Sequence, residues 1–153
     1  MKRILTITAI AAIGFAAFTG CKKSSSGASS TYNMKATIGS TAYNAPNCLA
    51  VQTGTQMVIE GLGGTSTVPT FPYMALILTN WNSGIVTATF NFDSTMLKNY
   101  AQYLSSSTSA IISKTGSVNV TSVTSTAVSG NFSFTGTDGT VVSGGTFTAQ
   151  IQK

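Results

Sequence analysis

Histidine is absent from the 153 residues, and the only carboxylate side chains are Glu60, Asp93 and Asp138. Without an imidazole, Ser-His-Asp and Cys-His arrangements have no base, so the commonest routes to an activated nucleophile are excluded. Zinc would find neither histidines nor a cysteine cluster, and calcium would find no group of carboxylates close in sequence. Only 7% of the residues are charged. Long apolar runs are missing as well. The longest, residues 4–18, would extend ~22 Å as a helix, short of the ~30 Å of a bilayer core. Neither a catalytic residue, a metal ligand nor a cofactor-binding motif can be named from this inventory. Gly61-Leu62-Gly63-Gly64 lacks the lysine and following helix of a phosphate loop, and reads as a flexible loop.

Two weaker catalytic patterns also have plain readings. Thr95-Met96-Leu97-Lys98 has the spacing of a Ser-x-x-Lys dyad but carries threonine at the nucleophile position, and reads as a solvated loop or helix turn. Glu60 alternates with apolar neighbours on a strand and points to solvent, while Asp138-Gly139 reads as a turn, so the pair that glycoside hydrolysis needs is not expected. An enzyme is therefore the least favoured function class.

What is present begins with the leader. Lys2 and Arg3 precede the apolar run 4–18, and small residues follow, which is the layout of a secretory signal peptide. Phe18-Thr19-Gly20-Cys21 resembles a bacterial lipobox, with Phe18 in place of the usual leucine. That resemblance implies a signal peptide over 1–20, lipidation of Cys21 on its sulfur, and a mature chain starting there. Residues 21–31 then form a Ser/Gly tether with too little apolar surface to order itself. Residues 32–153 form a single domain, since two would each approach the ~50-residue size at which a core is hard to sustain.

Processing also reassigns the charge. Removing Lys2 and Arg3 leaves six basic against three acidic residues, and setting aside Lys22 and Lys23 leaves four against three, a body of +1. Lys35, Lys98, Lys114 and Lys153 are too scattered for a nucleic-acid partner. Lys22 and Lys23 sit where anionic headgroups would attract them, each by ~1 kcal/mol. The partner expected is a membrane, reached through the lipid on Cys21. Lys22 is not the aspartate that retains lipoproteins at an inner membrane in some bacteria, and the acidic tether that similar surface-exported lipoproteins carry is missing. An outer membrane with the body facing the periplasm follows. With Cys21 acylated, Cys48 has no disulfide partner and reads as a buried small hydrophobe.

The body reads as all-β. Met34, Ala36 and Ile38 alternate with polar residues, and Gly39-Ser40 supplies a hairpin turn before 41–43. Segments 48–52 and 56–61 pair across Thr53-Gly54-Thr55, and 73–78 is apolar on both faces, as in a strand covered on two sides. Val86, Ala88, Phe90 and Phe92 alternate with polar residues. Three further strands cover 117–123, 127–136 and 145–152, with Phe132, Phe134, Phe147, Ala149 and Ile151 facing inward. At 94–104 two readings remain open: a short helix capped by Asp93, or a strand centred on 101–104 followed by another over 109–114. Short connections favour antiparallel neighbours. The expected architecture is an antiparallel meander closed into an up-and-down β-barrel or a flattened β-sandwich of nine or ten strands, closure removing charge-poor edges.

The stretch Lys35-Ala36-Thr37-Ile38-Gly39-Ser40-Thr41-Ala42-Tyr43-Asn44-Ala45 resembles the opening hairpin of a family of Bacteroidota-type lipoproteins of unknown function. Segments 116–123, 128–135 and 145–147 are similar to that family's closing hairpins. The likeness spans roughly 33–61 and 100–150, and implies an all-β fold and an envelope location without any catalytic or binding residue. In exported proteins of the same group, a three-residue O-glycosylation signal is similar to Asp93-Ser94-Thr95, which would make Ser94 an acceptor.

A binding surface needs only a concavity and a few aromatics. Trp81, in the polar turn Asn80-Trp81-Asn82-Ser83-Gly84, is the expected stacking residue for a glycan or another small ligand, with Tyr43, Tyr73, Tyr100 and Tyr103 available to extend a platform. The competing and favoured placement has Trp81 plugging one end of the barrel. Repeated Thr-x-Thr pairs would form an array for an ordered surface, but half fall at turns and ordinary strand propensity explains them. The functional expectation is a noncatalytic binding or structural module of the envelope. An adhesive or assembly subunit is the alternative, motivated by the two-faced apolar run 73–78.

Overall fold

A computed structural model of the chain describes residues 31–63, 70–82 and 87–152. The leader 1–20, Cys21 and nearly all of the expected tether lie outside the described residues. Among the described residues ten strands form: β1 (Asn33–Ile38), β2 (Thr41–Ala45), β3 (Asn47–Thr53), β4 (Gln56–Leu62), β5 (Tyr73–Leu78), β6 (Ala88–Asn91), β7 (Tyr100–Ser106), β8 (Ser109–Val123), β9 (Ala127–Gly136) and β10 (Val141–Gln152). The described residues contain no helix, so of the two readings at 94–104 the strand is the one that forms. Gly61 and Leu62, expected in a loop, are instead the last residues of β4.

Strands β3, β4, β5, β7, β8, β9 and β10 close into a seven-stranded barrel. Every neighbouring pair is antiparallel except β10 and β3, which run parallel through Gln150↔Leu49 to Gln152↔Val51. An uninterrupted antiparallel ring was the expectation, and parity is what prevents it. Directions alternating around an odd number of strands must repeat once, and the repeat falls where the last strand meets the first barrel strand.

The two longest strands, β8 and β10, flank β9 and share their other edges between two partners each. β8 pairs with β7 from Leu104↔Ala110 to Gln102↔Ile112, then with β6 from Asn91↔Ser117 to Ala88↔Val120. β10 pairs with β1 over Val142–Thr148 and with β3 over its last residues. The barrel therefore has two unlike walls. Strands β6, β8, β9, β10, β1 and β2 form a continuous antiparallel sheet. Strands β3, β4, β5 and β7 form the other wall.

The barrel interior is filled by Met34, Met57, Ile59, Met74, Leu76, Leu78, Val118, Val120, Phe132, Phe134 and Phe147 among others. Gly145 faces Phe132 and Phe147 faces Gly130 across β9 and β10, so each phenyl ring occupies space that a Cβ opposite would fill. This is why Gly130-Asn131-Phe132 and Gly145-Thr146-Phe147 have matching spacing. On the second wall Leu62, Tyr73, Ala75 and Ile77 make a separate cluster joined by Leu49, Val58, Tyr100 and Leu104. All six residues of β5 are buried within the single chain. Their two-faced apolarity is thus satisfied without a second subunit.

Candidate functional site

The expected aromatic platform does not assemble. Trp81 is 3% exposed; its backbone N–H donates to Thr55 O at 2.8 Å, and its ring stacks on Phe90 with centroids 5.9 Å apart and 21° between planes. Asn80, at φ 58°, turns the chain just before it. The ring sits at the end of the barrel where the β3–β4 turn lies, which is the favoured of its two placements; one face is covered by Phe90 and the residue has almost no accessible surface to offer the stacking alternative.

Tyr43 is also buried. Its hydroxyl donates to Gly61 O at 2.8 Å, and its ring meets Tyr103 edge to face with centroids 5.8 Å apart. A Cβ at Gly61 would lie 2.6 Å from that hydroxyl, so glycine there is what lets the β1–β2 hairpin fold over the barrel. Burial pushes the Tyr43 phenol well above its ordinary value, with a smaller contribution from Cys48. Tyr103, half-buried, packs against the main core. Tyr73 points to the outer wall, where its hydroxyl donates to Glu60 Oε1 at 2.7 Å; burial first, then the Glu60 charge, raise its pKa. The structure therefore joins Tyr43 to Tyr103 but places Trp81 and Tyr73 elsewhere, each already committed to a partner.

The three carboxylates are equally occupied. Asp93 Oδ1 accepts the Thr95 N–H at 2.7 Å, and Asp138 accepts the Thr140 N–H at 2.9 Å and the Thr140 hydroxyl at 2.8 Å. In both, the backbone N–H is the first cause of a lowered pKa. Glu60 faces the outer wall, as its alternation implies, but it is partly buried and bonded to Tyr73. Among the described residues no group of three or more His, Cys, Asp or Glu stands together as a metal site. Cys48 is fully buried in β3, and desolvation followed by Glu60 pushes its thiol far above the usual range. Ser94 lies exposed in the segment closed by Asp93 N–H to Asn99 O at 2.7 Å, where an acceptor serine would need to be.

One feature of the surface was not legible from single strands. Registers across the six-stranded wall align Thr89, Asn119, Asn131, Thr146, Lys35 and Asn44 in one exposed row. Thr89 Oγ1 donates to Asn119 Oδ1 at 3.3 Å within it. A second row, Ser122, Ser129, Thr148 and Asn33, runs beside it. Two of the Thr-x-Thr pairs thus contribute to two rows of hydroxyls and amides in which the one charge is Lys35. The signal in the sequence was the asparagines between buried Val118 and Val120 and beside Phe132, but their alignment depends on long-range register.

No family model matches the chain, and no significant match to it was found among curated proteins or solved structures.

Proposed function

We propose that the chain is a lipid-anchored protein of the bacterial cell envelope whose body is a noncatalytic binding or structural module. The observation that carries this reading is the leader. A basic start, an apolar run too short to span a bilayer, and Phe18-Thr19-Gly20-Cys21 followed by a Ser/Gly segment together favour acylation of Cys21. Lys22 and Lys23 would reinforce contact with anionic headgroups; Lys22 in place of a retaining aspartate favours an outer-membrane anchor, and the lack of an acidic tether favours a body facing the periplasm.

The geometry bears on what the body offers. Trp81, Tyr43 and Tyr73 are spent on packing and hydrogen bonds, Asp93 and Asp138 on their own turns and Glu60 on Tyr73, which favours a scaffold over a stacking or acid-base site. Contact with a glycan or another neutral polar ligand falls instead to the hydroxyl and amide wall. The adhesive or assembly reading loses its motive at β5, which its own chain covers. Ser94 is the modification site of this reading.

Metabolic labelling with a palmitate analogue tests the anchor. The full chain takes up label, and Cys21→Ala abolishes it and releases the protein from the membrane fraction. Labelling that persists in Cys21→Ala overturns the proposal. Protease shaving of intact cells leaves the protein untouched if the body faces the periplasm.

A further inference from the structure

The extended sheet ends on two edges, β6 and β2. The β6 edge is guarded. Asn99 Nδ2 donates to Asn91 O at 3.2 Å, and the chain beyond β6 turns away through Phe92 N–H to Gly116 O and Asp93 N–H to Asn99 O. Among the described residues the β2 edge has no such cover. The two-residue turn Gly39-Ser40 makes Ile38 and Thr41 a hydrogen-bonded pair, so Thr41, Tyr43 and Ala45 direct their backbone groups to β1. Ala42 and Asn44 direct theirs outward, and none of these outward groups has a hydrogen-bond partner among the described residues. Both side chains are exposed. Apart from its shortness, five residues, β2 lacks the devices that ordinarily protect an edge: it contains no charge and no proline, and its register with β1 is unbroken.

We propose that β2 is a homodimerisation edge, at which two copies pair antiparallel about a two-fold axis through Tyr43, with Ala42 of each copy hydrogen-bonded to Asn44 of the other. The edge is self-complementary. Its two outward-facing residues lie symmetrically about Tyr43, so a second copy in this register satisfies every outward N–H and C=O. A foreign strand would find little side-chain information in one methyl and one amide.

Electrostatics permit the pairing. The nearest charge, Lys35, lies on β1 opposite Asn44. Three strand spacings would separate it from its copy, about 14 Å, beyond the ~10 Å screening length at 0.1 M salt. Across the junction the exposed row continues from Lys35 and Asn44 to Ala42 and Thr37 of the second copy, extending the polar wall. The inference does not rest on lipidation of Cys21. A short edge falls well below the ~1,200 Å² of a stable interface, so the pairing is reversible and suits trapping better than sizing.

The test uses the full-length chain purified in detergent, as two single variants, Ala42→Cys and Asn44→Cys. Directly opposed residues of a hydrogen-bonded pair are ~5.5 Å apart at Cα, within disulfide reach. Mild oxidation of the mixed variants yields a dimer linked 42 to 44, identified by peptide mass spectrometry, several-fold above either variant alone or Asn119→Cys from the middle of the wall. Equal cross-linking in all samples, or a linkage of 42 to 42, overturns the proposal. Amide exchange on the unmodified chain supplies a reading independent of the variants. The Ala42 and Asn44 N–H groups gain protection as concentration rises, and Asn44→Pro, which removes the donor to the Ala42 carbonyl of the other copy and sets a ring in the seam, breaks the pairing and with it the gain at Ala42. Protection that does not change with concentration also overturns it.

Discussion

Trp81 is the only tryptophan in the chain, and its environment is set by residues distant in sequence: Thr55 receives its N–H and Phe90 lies against its ring. Because it closes one end of the core, Trp81→Ala should cost ~3–5 kcal/mol through lost burial and the cavity left behind. Urea denaturation followed by circular dichroism measures this, since the variant loses the fluorophore. In the unmodified chain the emission should lie to the blue and iodide should quench it poorly. Efficient quenching with a neutral alanine variant would mean that the ring stands in solvent. Sequence reasoning favoured this placement but left stacking open, because the flanking Asn80 and Asn82 are what a surface turn would carry. Cys48 and Glu60 were easier to place, since alternation with neighbours fixes the face of a strand residue. What alternation does not disclose is a partner: the Glu60–Tyr73 and Tyr43–Gly61 bonds join different strands.

At the scale of the element, β8 is the strand on which the topology turns. It exchanges β7 for β6 near Ser113, where its register with β9 also shifts between Ser113 and Thr115. Ser113 is fully buried, and its Oγ accepts the Ala101 N–H at 2.9 Å, replacing the ladder bond lost at the exchange. Ser113→Ala should therefore cost ~1–3 kcal/mol, the penalty of leaving a buried N–H unpaired, where an exposed serine-to-alanine change costs far less. The comparison of Ser113→Ala with Ser133→Ala by chemical denaturation checks it, and equal midpoints would sink this account of the exchange. In the sequence this strand looked like two, 109–114 and 117–123, because Gly116 interrupts the pattern. Gly116, at φ 131°, does not end the strand; it lets the chain pass where a Cβ would collide with the Ser133 carbonyl. Hairpins with Gly39 and Gly54 were legible because turn chemistry is local. The partner exchanges of β8 and β10 and the parallel closure were not, since they arise from strand count and length.

Over the whole molecule, the missing histidine and the buried phenols together shape how stability should depend on pH. Tyr43, Tyr73, Tyr100 and Cys48 are all held in their protonated forms, chiefly by burial. Their folded pKa values lie above the unfolded ones, which are ~10 for tyrosine and ~8.5 for cysteine. The folded state thus binds more protons than the unfolded state at high pH, and stability should fall progressively once the pH passes about 8.5–10. Asp93 and Asp138 act in the opposite sense. Their folded pKa values are lowered, so the stability they contribute is present above the ordinary carboxylate value of ~3.9 and is lost as pH falls through and below it. Both sit in exposed turns, so the acid limb should be the shallower. Between these limbs no histidine titrates, and melting temperature should be level from about pH 5 to 8. Thermal unfolding across pH measures all three regions, with Tyr43→Phe keeping the ring but removing one phenol. That variant should be less stable at neutral pH, through the lost bond to Gly61, yet decline less steeply on the alkaline side. An unchanged alkaline slope in Tyr43→Phe would show that this phenol is not among the groups whose ionisation opens the barrel.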